Sequence, residues 1–271
     1  MENNNLFDLT GRVSVITGGT GLLGQMHAGI IAASGGIPVL ADVRQLPEGE
    51  VRKKFGADAL SLLCDITNPG EVSSLLSSVT QRLGRIDILV NNAANNPKVE
   101  NPEDLEKSRL ENFSLDQWHA DLAVGLTGAF LCSKIIGAEM ARRRKGVIVN
   151  IASDLALISP DQRLYRKEGV AEDRQPVKPV TYSVVKTGLI GLTRYLATYW
   201  AAEGVRVNAI SPGGVYTSQP DEFVQRLSKL VPLGRMAGVD EYQGAILFLC
   251  SDASSYMTGS NLVIDGGRTC W

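Results

Sequence analysis

Tyr182 and Lys186 are the residues whose types and spacing could do chemistry together. They stand four positions apart, so on a helix the phenol and the ammonium would lie on one face, a turn apart. A free phenol ionises near pH ~10, and a neighbouring ammonium favours the phenolate and so lowers that pKa. The pair predicts proton transfer to or from an oxygen, as when an alcohol becomes a ketone. Because the same spacing also arises by chance on exposed helices, other features must support this prediction.

The segments around this pair indicate how it would be positioned. Residues 187–196 carry apolar side chains at helical spacing, and Gly204 is expected to end this helix. Ser153 follows the β-rich run 147–151, so it would lie at the edge of a sheet. There its hydroxyl could bind a substrate oxygen while Tyr182 exchanges the proton, although a serine at a strand end is also a common cap. The predicted catalytic set is Ser153, Tyr182 and Lys186.

A glycine-rich segment near the start of the sequence predicts a cofactor site. The β-rich run 13–16 leads into glycines at 18, 21 and 24, and a helical pattern and a second strand ending at Asp42 follow. This order is the dinucleotide-binding βαβ arrangement, in which glycines let the backbone approach a pyrophosphate at a helix N-terminus. Asp42 is placed to accept hydrogen bonds from the adenine ribose. Since its charge would repel a 2′-phosphate, NAD is predicted rather than NADP.

Other cofactor candidates follow the ends of later strands. Asp65 ends the third predicted strand and could bind the adenine amino group, or it could cap the next helix. Asn91 and Asn92 follow the fourth strand, where α/β sheets bind ligands, but asparagines there can equally tie down the turn. The turn after the sixth strand would wall the nicotinamide and offer backbone groups and a hydroxyl to its carboxamide. The full cofactor set is Gly18, Thr20, Gly21, Leu22, Leu23, Asp42, Asp65, Asn92, Ala93, Tyr182, Lys186, Pro212, Val215 and Thr217.

The alternation of strands and helices predicts the fold. Seven β-rich runs of nearly unbroken apolar character indicate a parallel sheet that is buried on both faces. Helical patterns cover residues 69–83, 115–145, 221–231 and 241–249. The prediction is an α/β protein with a single doubly wound parallel sheet, a Rossmann fold, with helices on both faces. Residues 1–271 are treated as one domain.

Two polar regions interrupt this pattern. Residues 97–113 predict an exposed excursion. The segment near 156–180 has three prolines and many charges, and it is too long for an idle connection in a compact domain. It is interpreted as a substrate loop, with a solvated loop as the alternative, and residues 216–235 are interpreted as a lid.

Composition limits the partners and the compartment. A net charge of −2 and a pI near 5.8 argue against nucleic acid as a main partner. Four cysteines lie far apart and match no metal-ligand spacing, which predicts no metal site and a reduced, cytoplasmic protein without structural disulfides. No secretory pattern and no uncharged apolar run of membrane-spanning length are apparent, so no membrane partner is expected.

Together these motifs resemble the short-chain dehydrogenase/reductase family, over nearly the whole chain. The residues that carry the resemblance are the segment 17–24, Asp42, Asp65, the segment 91–94, Ser153, the segment 182–186, Pro212 and Gly213. The resemblance implies Tyr182 as general acid/base, Lys186 as the group that lowers its pKa and binds the nicotinamide ribose, and Ser153 as the substrate-positioning residue. It also implies a homodimer or homotetramer joined through the helices around 115–145 and 182–203.

Three departures from the family pattern stand out. Leu22 replaces a glycine that is usual in the shorter branch of the family, so the glycine spacing looks more like the longer, sugar-nucleotide-modifying branch. Ala94 replaces another usual glycine. Gly125 stands where the family often has a catalytic asparagine, which predicts a substituted proton route from Lys186 or slower turnover.

The leading hypothesis is a NAD-dependent oxidoreductase that interconverts a secondary alcohol and a ketone on a small molecule. The segment 154–160 and the inserted loop look similar to dehydrogenases of bacterial flagellin and surface-glycan modification, which implies a sugar or sugar-derived substrate. Two alternatives stay open. The glycine spacing is compatible with a sugar epimerase or dehydratase that recycles NAD, and Gly125 is compatible with a non-catalytic cofactor-binding scaffold.

Overall fold

The computed structural model describes residues 5–95 and 107–271. In that part of the chain, seven strands form one parallel sheet in the order β3-β2-β1-β4-β5-β6-β7. This sheet confirms the predicted fold class. The strands are β1 Val13–Thr17, β2 Ile37–Asp42, β3 Leu60–Leu63, β4 Ile88–Asn91, β5 Gly146–Ile151, β6 Val205–Pro212 and β7 Asn261–Ile264.

Helices connect the strands. Those in the described residues are Leu22–Ala33, Glu48–Phe55, Pro69–Leu83, Leu115–Arg142, Val180–Tyr199, Asp221–Ser228 and Gln243–Cys250. The helix that carries Tyr182 ends at Tyr199 rather than at Gly204 as predicted; Gly204 has φ +71° and turns the chain into β6. Of the predicted excursion 97–113, residues 97–106 lie outside the described residues, and Leu110–Asn112 form a 3₁₀ turn.

The sheet is buried by apolar side chains on both faces. Val15 points to one face and packs in a cluster with Val72 and Ile136. Its neighbour Ile16 points to the other face and packs in a cluster with Ile31 and Ile246. Successive strand residues face opposite sides, so a strand covered on both sides must be apolar at nearly every position. This explains the unbroken apolar runs in the sequence.

The long helix Leu115–Arg142 contains two π-helical turns, Ala123–Thr127 and Ser133–Gly137. Among the described residues it is the one helix that is long and apolar enough to cross a membrane, with 44% of its most apolar window buried. Length and composition alone are weak evidence for a membrane span, since core helices pass the same test. Ile136 and Met140 are fully buried in the core, so this helix packs as a core helix.

The sheet places the site at one edge. The strand order reverses at the β1–β4 pair, and α/β sheets bind ligands at the carboxyl ends of the strands beside such a reversal. Because all the strands are parallel, the ends of β1, β4 and β5 at Thr17, Asn91 and Ile151 lie along the same edge. The glycine segment directly follows β1, Asn92 directly follows Asn91 at the end of β4, and Ser153 lies two residues after β5.

Candidate active site

The helix Val180–Tyr199 brings Tyr182 and Lys186 to the carboxyl end of β5. Lys186 is 6% exposed, and its Nζ donates a hydrogen bond of 2.7 Å to the carbonyl oxygen of Ile151. Its Nζ also lies 5.9 Å from the centre of the Tyr182 ring. The buried ammonium is therefore fixed against the last residue of β5, one helical turn from the phenol.

Ser153 lies next to the phenol. It is 3% exposed and follows β5 by two residues in extended backbone. The Tyr182 hydroxyl donates to Ser153 Oγ over 3.4 Å. The three residues predicted as catalytic thus converge on one point, although they come from two elements that are remote in sequence. Ser153 also acts as the cap that the alternative interpretation expected, because its Oγ accepts from the Leu155 N–H.

Burial dominates the electrostatics of the pair. Burial and, to a smaller degree, the nearby Lys178 together lower the pKa of Lys186 to about 8. Burial raises the pKa of Tyr182, the Ser153 hydrogen bond lowers it, and the Asp154 carboxylate raises it. The net direction for Tyr182 is upward, which is opposite to the lowering predicted from Lys186. The reason is that desolvation of the buried phenolate is the largest of the contributions.

Lys178 is a site residue that the sequence analysis did not identify. Its Nζ lies 3.8 Å from the centre of the Tyr182 ring, which is the geometry of a cation–π contact. Burial lowers the pKa of Lys178 to about 8, and Asp154 opposes that shift. Lys178 precedes Pro179 at the start of the Tyr182 helix, and this position indicates only weakly that its side chain belongs to the site.

Asp121 joins the long helix to the Tyr182 helix. Its Oδ2 accepts from Thr181 Oγ1 at 2.5 Å, and its Oδ1 accepts from Gln117 Nε2 at 2.7 Å. Asp121 and Thr181 are both buried. Gln117 and Asp121 are four residues apart on one helix face, which the sequence could have indicated. A recess beside this contact is lined by Asn95, Asp121, Gly125, Lys178, Tyr182 and Lys186.

The glycine segment forms a close-packed turn after β1. Gly18 has φ +62°, and a Cβ there would lie 2.9 Å from the Ala93 Cα. A Cβ at Gly24 would collide with the Gly18 carbonyl oxygen. The helix Leu22–Ala33 begins at Gly21 without a side-chain cap, and the buried Thr20 hydroxyl has no hydrogen-bond partner in the described structure. Open N–H groups and an unpaired hydroxyl fit a pyrophosphate.

Asp42 ends β2 beside this turn and is 8% exposed. Its Oδ2 accepts from the Thr20 N–H and its Oδ1 accepts from the Arg44 N–H, both at 3.1 Å. The carboxylate therefore holds the glycine turn, a role that the sequence analysis did not foresee. A carboxylate oxygen accepts more than one hydrogen bond, so both oxygens can still receive ribose hydroxyls.

The asparagines after β4 have structural partners. Asn92 Nδ2 donates to the carbonyl oxygens of Thr17 and Gly18 at 3.0 and 3.2 Å. Asn91 is buried, and its Nδ2 donates to Ser133 Oγ and Asn150 Oδ1. Of the two interpretations left open, these contacts favour tying down the turn. The backbone N–H of the next residue, Ala93, donates a hydrogen bond to Thr17 Oγ1.

Asp65 does not cap the helix that follows it. Its Oδ1 accepts from both the N–H and the hydroxyl of Thr67, and the helix Pro69–Leu83 is capped by Asn68 through the Gly70 N–H. The alternative reading of Asp65 as that cap is therefore wrong. Asp65 is half-buried at the end of β3, where the adenine role remains a prediction.

The turn after β6 satisfies part of its own backbone. Pro212 ends β6, and the Gln219 side chain accepts from the Thr217 N–H at 2.7 Å and donates to the Val215 carbonyl at 2.8 Å. These two backbone groups are occupied within the turn, and the contact of the turn with the nicotinamide carboxamide stays a prediction. The exposed Thr217 side chain stays on the surface of this turn.

The segments interpreted as substrate loop and lid pack against each other. Leu164 of the loop is buried with Leu227, Val231 and Met236, which belong to the lid segment or directly follow it. Arg226 of the lid donates to the carbonyl oxygen of Arg166 at 2.7 Å. The loop is therefore not simply solvated, since part of it forms a small apolar core with the lid.

Comparisons with known proteins identify the class of enzyme. A family model described as Enoyl-(Acyl carrier protein) reductase matches residues 23–269. The D-threitol dehydrogenase of Mycolicibacterium smegmatis is 33% identical, with 97% of this chain and 95% of the relative covered. The NAD-dependent glycerol dehydrogenase of Listeria innocua is 31% identical, with 97% and 96% covered. A solved gluconate 5-dehydrogenase from Burkholderia cenocepacia, in complex with NADP and tartrate, has a TM-score of 0.83 and 28% identity, with 98% of each chain covered.

The chain belongs to the short-chain dehydrogenase/reductase family, as its motifs predicted. It is an oxidoreductase that interconverts an alcohol and a carbonyl group, and members of this family bind a nicotinamide cofactor. The glycine turn and the carboxylate of Asp42 fit such a cofactor.

Proposed function

We propose that this chain is a NAD-dependent dehydrogenase of a polyol or another sugar-derived alcohol, with Tyr182 as its acid/base. One observation carries the proposal: the hydroxyls of Tyr182 and Ser153 and the ammonium of Lys186 converge at the carboxyl end of β5. That end lies on the same sheet edge as the glycine turn. A nicotinamide ring supplies the hydride acceptor or donor when it is bound.

The side chains divide the proton chemistry among them. Tyr182 takes the proton of the substrate hydroxyl in oxidation and returns it in reduction. Ser153 holds the substrate oxygen beside the phenol, and Lys186 supplies a fixed positive charge next to the phenolate. With its pKa lowered to about 8, Lys186 is still mostly protonated at neutral pH.

The recess supports a substrate rich in hydroxyl groups. Asn95 and Lys178 can donate hydrogen bonds there, and Asp121 can accept them. Relatives that act on threitol and glycerol add support for a polyol. The finer likeness to flagellin and surface-glycan dehydrogenases stays a prediction. We also propose that residues 156–180 and 216–235 act as substrate loop and lid of one domain spanning residues 1–271.

NAD is preferred over NADP on the basis of Asp42. Its buried carboxylate next to Thr20 would face the ribose and repel a 2′-phosphate. Arg44 follows with an exposed side chain and would favour NADP instead, and the relatives and structural neighbours include enzymes of both kinds. The charge closest to the turn is that of Asp42, so NAD is the proposed cofactor.

Assembly and location complete the proposal. Phe130 on the long helix and Tyr195 and Tyr199 on the Tyr182 helix are 44%, 63% and 61% exposed. Apolar surface of this kind on two neighbouring helices supports a homodimer or homotetramer joined through them. A cytoplasmic location, expected from composition, stays part of the proposal.

Tyr182→Phe tests the proposed role directly. Removing the hydroxyl should lower kcat by roughly 10²–10⁴-fold, the usual contribution of a general acid/base, while NADH binding measured by fluorescence stays unchanged. Tyr165→Phe is the matched control, because Tyr165 is a half-buried phenol of the neighbouring loop with no assigned role. Turnover of Tyr182→Phe within about twofold of the wild type would reject the assignment.

The same assay distinguishes the alternatives. A dehydrogenase accumulates NADH in proportion to the polyol oxidised. An epimerase or dehydratase would convert a sugar without net NADH, and a non-catalytic scaffold would bind NADH without transferring hydride to any of a panel of polyols and ketoses.

A further inference from the structure

A buried ion pair lies directly behind the candidate catalytic serine. Arg268 Nη1 donates to Asp154 Oδ2 over 2.7 Å, and the side chains are 7% and 4% exposed. Asp154 follows Ser153 after β5, whereas Arg268 begins the 3₁₀ turn Arg268–Cys270 after β7. The proposed function gives neither residue a role.

The hydrogen bonds of Asp154 set the direction of the Ser153 hydroxyl. Asp154 Oδ1 accepts from Ser153 Oγ and from the Leu155 N–H, both at 2.8 Å. A serine hydroxyl has a single proton to donate, and Ser153 donates it in the hydrogen bond to Asp154. While that bond holds, Ser153 accepts from Tyr182, and the phenol is the donor. The donation runs in one direction, from Tyr182 to Ser153 to Asp154, and Arg268 anchors its end.

We propose that Asp154 and Arg268 are a positioning pair that orients the Ser153 hydroxyl and acts on Tyr182 through it. The pair touches neither the phenol nor the substrate and acts through Ser153 and through its charges. The proposal rests on the acid/base role of Tyr182 for its catalytic meaning, but its physical content can be measured without turnover.

The two members of the pair should act on Tyr182 in opposite directions. The Asp154 charge raises the pKa of Tyr182, and the positive charge of Arg268 opposes that of Asp154. Other charged or titratable groups around the phenol are Lys178 over its ring, Lys186 on the same helix, Tyr165 on the loop and Asp121 on the long helix. The variants described below leave these four groups unaltered.

Two substitutions separate positioning from simple structural support. Asp154→Asn removes the negative charge and should lower the Tyr182 pKa by about one unit. Arg268→Met removes the positive charge and should raise it. A pair that only held the C-terminal turn in place would alter stability in both variants and leave the tyrosine pKa where it is.

The pKa of Tyr182 is measured by NMR of protein labelled with ring-¹³C tyrosine, with its signal assigned by its absence in Tyr182→Phe. This readout needs no substrate. If Tyr182→Phe proves fully active, the proposed function fails while the titration still decides the present inference. If Arg268→Met does not fold, the double variant D154N/R268M replaces it, since loss of both charges should return the pKa close to that of the wild type.

Asp87→Asn is the matched control. Asp87 is another buried carboxylate with arginine partners, but it precedes β4 and so lies at the opposite end of the strands. It should leave the Tyr182 pKa unchanged. The proposal is overturned if Asp154→Asn shifts that pKa by less than about 0.2 units or in the same direction as Arg268→Met. Where a polyol is oxidised, the acid limb of kcat/KM should move with the NMR value.

Discussion

Asp42 shows how one side chain can serve both the fold and the ligand. Its carboxylate closes the glycine turn through Thr20 and is also the group proposed to select NAD. These roles can be separated, because an amide at this position keeps a hydrogen-bond acceptor and loses the charge.

Asp42→Asn should keep the hydrogen bond from the Thr20 N–H, since the amide oxygen can replace Oδ2, and it should relax the discrimination against NADP. Asp42→Ala should in addition weaken NAD binding by roughly 10–100-fold, since a hydrogen bond to a charged group contributes about 1.5–3 kcal/mol. Isothermal titration with NAD and NADP measures both effects. An unchanged NAD/NADP preference in both variants would contradict the ribose assignment, and a melting temperature for each variant monitors the turn.

At the residue scale, the sequence indicated the groups that belong to local patterns. Tyr182 and Lys186 share a helix face, and Ser153 follows a strand, so their spacing together with the other motifs located them. Asp154 and Arg268 form a buried pair with side chains that are 4% and 7% exposed. Asp154 follows β5 and Arg268 follows β7, so no local pattern in the sequence links them. The raised pKa of Tyr182 could not be foreseen either, because desolvation depends on the packed structure.

Gly125 and Val185 show how two elements fit each other at the site. Gly125 lies in a π-helical turn of the long helix, and a Cβ there would lie 2.5 Å from Val185 Cγ1 on the Tyr182 helix. The absence of a side chain at 125 is therefore matched by a bulky one at 185. An asparagine side chain at position 125 would need the space that Val185 occupies.

Gly125→Asn alone should destabilise the protein by about 1–3 kcal/mol through overpacking. Combining it with Val185→Ala should recover most of that loss. Denaturant unfolding of the single and double variants measures the coupling. Gly191→Ala, in the Tyr182 helix that carries Val185, is the control: nothing lies within 4 Å of its added Cβ, so it should raise stability by ~0.5–1 kcal/mol. Equal destabilisation in the single and double variants would refute the complementarity.

At the element scale, periodic patterns located the main strands and helices, and the bounds of Pro69–Leu83 match the prediction. The helix Glu48–Phe55 was missed because only Val51 and Phe55 of it are buried, too few for an apolar period. The long helix ends at Arg142 rather than at residue 145, since Arg144 takes a left-handed backbone conformation with φ +57°.

The whole molecule presents stacked aromatic rings on its surface. Tyr195 and Tyr199 lie with ring centres 5.7 Å apart and an interplanar angle of 14°. They form part of the helix surface proposed as a subunit interface.

Tyr195→Glu with Tyr199→Glu should dissociate the oligomer, because two charges would be buried at that interface. Sedimentation velocity should then show the mass of a single chain. Tyr256→Glu is the control, since Tyr256 is fully exposed and lies on neither helix. A wild-type protein that sediments as a monomer, or a double variant with unchanged mass, would contradict the proposed assembly.

The pairing of Asp154 with Arg268 has a consequence for the order in which the protein is completed. The first six strands and the Tyr182 helix all precede residue 213, so they can assemble while the ribosome is still adding later residues. The Asp154 carboxylate can pair with Arg268 only after residue 268 has left the ribosome. The Asp154–Arg268 contact thus forms after six strands are available, and a nascent chain can have most of its sheet before Ser153 has its proposed support.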